Sequence, residues 1–216
     1  VIAWGSNAQG QSTTPTNLKA IRIAAGGEHS VALKADRTLV GWGENSDGQI
    51  NFPLNLNDVI EISAGQNHSA ALVGYGAKTC QSLDYDSASD AWVVSNKSRL
   101  IGKAVAWGIN DMSQIDVPSS LANGAPDLID ISCGGNHTLT LDVDGDVAGW
   151  GDNGHGQITI PTLNEIDGTK AYIVSIDAGF SHSLALSKNG TVFAWGSNQH
   201  NQTSITNLLS ENYKVE

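Results

Sequence analysis

Glu28, His29 and Ser30 stand side by side behind two glycines in AGGEHS, residues 25–30. A carboxylate, an imidazole and a hydroxyl are the groups of acid–base and nucleophilic catalysis. A second suggestive stretch is LDVDGDV, where Asp142, Asp144 and Asp146 imitate the start of a calcium-binding loop. A third is LDYDSASD at 83–90, another cluster of oxygen ligands. A calcium loop needs a distal Glu at its twelfth position, and that place is Asn153. Asp-Gly is also a hairpin turn, which is what the stretch is expected to form.

The catalytic trio dissolves when the whole chain is compared with itself. IRIAAGGEHSVALK at 21–34 returns as IEISAGQNHSAALV at 60–73, IDISCGGNHTLTLD at 129–142 and VSIDAGFSHSLALS at 174–187. Gly and His hold in all of them, Ser or Thr follows each His, and Glu28 becomes Asn67, Asn136 and Ser181. An active site needs a unique nucleophile, base and orienter. Four copies of His29, His68, His137 and His182 instead predict a frame residue, buried near the start of a strand and bonded to turn backbone. No catalytic residue, no cofactor site and no metal site is expected, and the chain is read as a non-enzyme. The glycines serve tight turns, and no phosphate-loop Lys follows them.

A second block alternates with the first. VIAWGSNAQGQSTTP at 1–15 is echoed at 39–53, 104–118, 147–161 and 192–206. Trp4, Trp42, Trp107, Trp150 and Trp195 each precede a Gly, and Gln follows each Trp by seven residues. The Trp is expected to pack between neighbouring units and the Gln to bond turn backbone. From the repeated His to the next Trp is 13 residues in three repeats and 39 from His68 to Trp107, so an insertion lies at 74–100.

Each repeat holds four short runs of alternating polarity, rich in β-branched residues and bounded by Gly, Asn and Asp. Four strands every 40 or so residues predict blades of an all-β, four-stranded antiparallel β-propeller. We label the strands A, B, C and D. The A–B and C–D turns then share one face, and the B–C and D–A links share the other. Residues 1–15 supply a partial blade, full blades span 21–53, 59–118, 128–161 and 173–206, and 207–216 reads as the start of another. Taken as one domain over 1–216, this is an incomplete arc of four to five blades. Such an arc exposes sheet edges, so further blades of a longer chain, or neighbouring subunits, are expected to complete it.

The pattern GxxHSLAL followed by VxAWGxNxxGQ resembles the regulator of chromosome condensation repeat family. The resemblance implies the seven-bladed propeller of that family, and the repeat length is closest to its bacterial members. It also implies two alternative activities: guanine nucleotide exchange on a small GTPase, and inhibition of a secreted enzyme. Fold likeness alone transfers neither. Ser113 and Asn201 depart from the pattern, replacing the Gly before Gln.

Charge narrows the partners. Acidic residues outnumber basic ones 22 to 11, for a net charge of −11, and no Lys/Arg cluster interrupts this. Nucleic acid is therefore not expected as a partner. No apolar run reaches membrane-spanning length, so no membrane insertion is expected. The acidic, Lys-poor, Asn-rich composition fits an extracellular or particle-surface setting. The two cysteines, Cys80 and Cys133, lack CxxC spacing.

What varies between repeats points to function. A scaffold that repeats its frame and varies its loop tips is built as a binding surface. On the A–B turns the varied positions include Glu28, Asn67, Asn136 and Phe180; on the C–D turns they are the triplets from Asn7, Asn45, Asn110, Asn153 and Asn198 onward, including Asp47, Met112, His155 and His200. The insertion adds Tyr75, Tyr85 and Trp92, and Tyr and Trp are common interface anchors. The expected function is non-catalytic protein binding or assembly, with partner contacts at Glu28, Asp47, Asn67, Met112, Asn136, His155, Phe180, His200, Tyr85 and Trp92.

Overall fold

The computed structural model describes residues 1–89 and 91–205; Thr206 and the expected strand entry at 207–216 lie outside the described residues. The architecture is antiparallel β throughout, apart from one turn of helix, α1 (Ser119–Ala122). Four units follow one another. The first is β1 (Arg22–Ala25), β2 (His29–Leu33) and β3 (Leu39–Gly43). The second is β4 (Val59–Ala64), β5 (His68–Asp86) and β6 (Ala91–Gly108). The third is β7 (Leu128–Cys133), β8 (His137–Asp142) and β9 (Val147–Gly151), and the fourth is β10 (Ile173–Ala178), β11 (His182–Ser187) and β12 (Val192–Gly196). Residues 1–15 precede them as turn and extended chain.

Register repeats from unit to unit. Strand B sets its His opposite the Gly that follows Trp on strand C: His29↔Gly43, His68↔Gly108, His137↔Gly151 and His182↔Gly196. Period-two alternation then sends one side of each strand to one neighbouring unit and the other side to the next. Three apolar layers result, one at each junction between units. Val31, Leu33, Val59, Ile62 and Trp107 fill the first. Leu72, Leu128, Ile131 and Trp150 fill the second, and Leu139, Leu141, Ile173, Ile176 and Trp195 the third. A fully buried Leu such as Leu72 contributes about 1.5–3 kcal/mol.

Each described unit has three ladder-forming strands, not the expected four. The expected D strand is a turn followed by an extended segment that joins no ladder. Its N–H groups are used locally. In the first unit Ile50 N–H donates to Asn45 Oδ1 (3.1 Å) and Asn51 N–H to the Gly48 carbonyl (2.9 Å). Pro53 has no N–H to offer. The segment is held by packing instead: Ile50 and Phe52 close over Gly41 so tightly that a Cβ there would lie 2.7 Å from Ile50.

The insertion is a protruding hairpin. It prolongs strands B and C of the second unit into a two-stranded ribbon, paired from Gly76↔Ile101 to Asp86↔Ala91. It leaves by the B–C end, opposite the A–B turns. The LDVDGDV stretch is a hairpin, as expected: Asp142 Oδ1 accepts the N–H groups of Asp144 and Asp146, each at 2.9 Å.

Candidate binding face

The five C–D turns share one frame. The Gln side chain of each reaches back and accepts a backbone N–H two residues earlier: Gln9 to Gln11 Oε1, Asp47 to Gln49, Met112 to Gln114, His155 to Gln157 and His200 to Gln202, at 2.8–3.0 Å. Gln49, Gln114 and Gln157 are fully buried in doing so. The Asn three residues after each Trp takes the other half of the turn. Its Oδ1 accepts the N–H five residues on, as Asn110 does from Ile115 at 3.2 Å and Asn198 from Thr203 at 3.0 Å. Asn7, Asn45, Asn110, Asn153 and Asn198 are therefore frame residues, although sequence comparison grouped them with the varied tips. Their recurrence at a fixed distance from Trp was the signal that could have identified them.

Beside four of the five C–D turns lies the A–B turn of the same unit. Glu44 N–H donates to the Glu28 carbonyl, Ile109 to Asn67, Asp152 to Asn136 and Ser197 to Ser181, at 2.8–3.0 Å. The A–B turns also bond one another across units: Gly27 N–H to Gly65 O (3.1 Å), Gln66 N–H to Gly135 O (3.1 Å) and Gly135 N–H to Phe180 O (3.0 Å). This approach requires glycine. A Cβ on Gly65 would lie 2.5 Å from the Gly134 carbonyl and 2.2 Å from the His68 ring.

Beneath the turns the histidines link neighbouring units. His29 Nε2 lies 2.8 Å from Ser69 Oγ, His68 Nε2 3.0 Å from Thr138 Oγ1 and His137 Nε2 3.0 Å from Ser183 Oγ. Ser69 and Ser183 donate their own protons to the carbonyls of Gln49 and Gln157. Their oxygens therefore accept from the rings, which fixes the Nε2–H tautomer. Nδ1 of these three rings is buried and without a partner. A proton there would place an unpaired cation in the interior, and burial holds all three near pKa 4, far below the usual imidazole value. His182, on the last described unit, is only half-buried. The tryptophans bind in the opposite direction: Nε1–H of Trp42, Trp107, Trp150 and Trp195 donates to the carbonyl of Gln11, Gln49, Gln114 and Gln157 of the preceding unit, at 2.8–2.9 Å.

Above this frame the varied side chains come together on one face. Glu28 and His155 are exposed, as is His200. Met112 is 48% and Phe180 67% exposed, and Asp47, Asn67 and Asn136 are half-buried at the turn flanks. Glu44 sits among them and is held below the usual carboxylate range by the N–H groups and hydroxyl of its own turn. Tyr85 and Trp92 are not part of this surface; they lie on the ribbon at the other end of the unit, edge to face at 5.7 Å. Asp84 and Asp86 of LDYDSASD are engaged by Ser95, Lys97, Ser89 and the Ala88 N–H. Among the described residues no three His, Cys, Asp or Glu side chains gather to hold a metal ion.

A family model described as the regulator of chromosome condensation (RCC1) repeat matches residues 20–49, 128–157 and 173–202. No curated protein matches the chain. Among solved structures, yeast RCC1 (Prp20) bound to Kap60 aligns with a TM-score of 0.59 at 22% identity, over 86% of this chain and 45% of that one. The Saccharomyces cerevisiae protein is also described with its binding to Gsp1p and histones. Human WBSCR16 aligns with a TM-score of 0.61 at 20% identity, over 89% of this chain and 52% of that one. The entire ectodomain of the Physcomitrella patens receptor kinase CR4 gives 0.61 at 20%, over 91% and 47%. The chain thus spans about half the length of these structures, whose likeness is one of fold. With the repeat matched in the first, third and fourth units and the same architecture in the second, the chain carries regulator of chromosome condensation repeats folded as an arc of a β-propeller.

Proposed function

We propose that this chain is a non-catalytic protein-binding or assembly module that meets its partner through the face built by the A–B and C–D turns. One observation carries the proposal. Five turns hold the same backbone by the same Gln, fully buried in three of them, and the same Asn, yet the pair of residues at the tip differs in every copy. A rigid frame with varied, exposed tips lowers the ordering cost of binding while leaving specificity to the side chains. Prp20, which shares the fold, binds proteins at Kap60, Gsp1p and histones, and this supports a protein partner. The net charge of −11 favours a partner with a basic contact surface.

The test compares the chain with a variant carrying Met112→Ser, His155→Ser, Phe180→Ser and His200→Ser. Proteins retained by each on a column are quantified, and contacts are mapped by cross-linking. The proposal expects retained protein to fall at least tenfold in the variant, with cross-links at the turns. Equal retention by both forms refutes it. Acceleration of nucleotide release from a small GTPase, lost in the same variant, would give the module the exchange activity of its family.

A further inference from the structure

The ribbon of β5 and β6 is inside out. Alternation along its paired strands divides its side chains into two sets. One set is Lys78, Cys80, Ser82 and Asp84 with Val93, Ser95, Lys97 and Arg99, and it holds every charged side chain between residues 77 and 85 and between 92 and 100. At Cys80, Ser82, Asp84, Ser95 and Arg99 this set is turned to the body, while the Lys78 and Lys97 side chains (54% and 56% exposed) and Val93 (38%) reach past it to water. Cys80 and Ile101 are buried in the third apolar layer, and Lys78 pairs with Asp127 at the entry to the third unit. The other set contains no charge: Leu83, Tyr85, Trp92, Val94 and Leu100, with Ala77, Thr79, Gln81, Asn96 and Ser98 between, Leu83 and Gln81 being half-buried. It faces outward, with Tyr85 52%, Trp92 56%, Val94 48% and Leu100 45% exposed. A surface ribbon ordinarily turns its apolar set inward and its charges to water. Among the described residues, 91–100 form their ladder with 77–86.

We infer that this outward face is a self-association surface, covered by the same face of a second copy of the chain. Charge favours a second copy. Lys78, Lys97 and Arg99 balance Asp84, Asp86 and Asp90 across residues 74–100, so the whole net charge of −11 lies elsewhere. Two copies meeting through any other acidic surface repel, whereas here they do not. The order of residues favours it too. From tip to base the face runs aromatic pair, Leu83 with Val94, a polar band around Asn96, Thr79 with Ser98, then Leu100 with Ala77. Stacked antiparallel about a two-fold axis near Asn96, the aromatic tip of one copy covers the Leu100 base of the other, and amide meets amide. Such an arrangement is self-complementary, as a two-fold contact must be. The exposed parts of these side chains amount to on the order of 400 Å² per copy, a patch size that is often functional. Two such patches supply most of the roughly 1,000 Å² that a specific interface needs.

Size-exclusion chromatography with light scattering tests this on the purified chain. The expected mass at micromolar concentration is twice 22.6 kDa, falling to the monomer on dilution. Trp92→Glu with Val94→Lys is expected to give monomer only, with an unchanged circular dichroism spectrum. Ile23→Lys, at the exposed leading edge of the arc (65% exposed), is expected to leave the dimer intact. Asn96→Cys, placed near the two-fold axis, is expected to form a disulfide-linked dimer on mild oxidation, whereas Ser46→Cys on the turn face is not. A monomeric wild type, a dimer that survives Trp92→Glu/Val94→Lys, or a dimer lost with Ile23→Lys overturns the inference. So does a monomer that uses the ribbon to bind a different protein.

Discussion

The ring nitrogen of His29 donates to the hydroxyl of Ser69, 2.8 Å away and 40 residues later in the chain, and that hydroxyl donates onward to the carbonyl of Gln49. Two side chains and a main-chain carbonyl from two units thus close one buried relay. Ser69→Ala removes its centre and strands the His29 N–H and the Gln49 carbonyl, although Trp107 still reaches the latter. The expected cost is about 1–3 kcal/mol, read from urea unfolding. Ser69→Thr is expected to cost much less, because Thr138 occupies the same place one unit later.

Acid should destabilise the fold earlier than carboxylate titration alone would. Unfolding returns His29, His68 and His137 from about 4 to the ordinary value of 6.5. Between those limits the unfolded chain binds more protons, so stability falls as pH drops. Asp130, raised to about 6 by burial, works in the opposite direction between 3.8 and 6, and the raised Asp142 joins it. Between pH 6 and 7 the three histidines, whose unfolded value is 6.5, outweigh the single Asp130. The melting temperature is therefore expected to decline already between pH 7 and pH 6, and His68→Gln should flatten that slope if the variant folds. A melting temperature constant down to pH 5 would rule out neutral buried rings.

Ser113 and Asn201 occupy left-handed backbone, with φ of 59° and 62°, where the equivalent turns use Gly10, Gly48 and Gly156 at 76° to 83°. An ordinary residue there costs roughly 1–2 kcal/mol, less for Asn, and glycine returns part of the gain as chain entropy. Ser113→Gly is expected to stabilise by about 0.5–1 kcal/mol and Asn201→Gly by less, measured as shifts in thermal midpoint. Gly48→Ala should act in the reverse direction.

Phe180→Ser separates frame from tip. The side chain is 67% exposed, and the bond from Gly135 uses only the Phe180 backbone carbonyl. Stability is expected to change by less than about 0.5 kcal/mol. Gln114→Ala, on the C–D turn two units earlier and fully buried, should cost about 1–3 kcal/mol by freeing the Met112 N–H and Asp111. Equal costs in equilibrium unfolding would contradict the division between the two.

The propeller was legible because Trp, Gly, His and Gln recur at fixed distances, and a fixed distance in sequence becomes a fixed place in a repeated unit. The pairing of His with the next unit's Ser or Thr was not legible. His-Ser looks local, but the two side chains of one dipeptide serve opposite junctions. The D segment was misjudged because alternation was read without asking where its N–H groups go; Asn45 and Gly48 take them first. The ribbon's inverted polarity was written in residues 77–100, but which side faces the body depends on Cys80 and Ile101 finding the third layer.

The three junctions between the four units are signed: the earlier unit contributes an imidazole donor and a Gln carbonyl, and the later one a hydroxyl and an indole. Such couplings work like plug and socket. A repeat gained by duplication or lost by deletion leaves matching ends on either side, so the number of blades can drift in evolution while each junction remains intact.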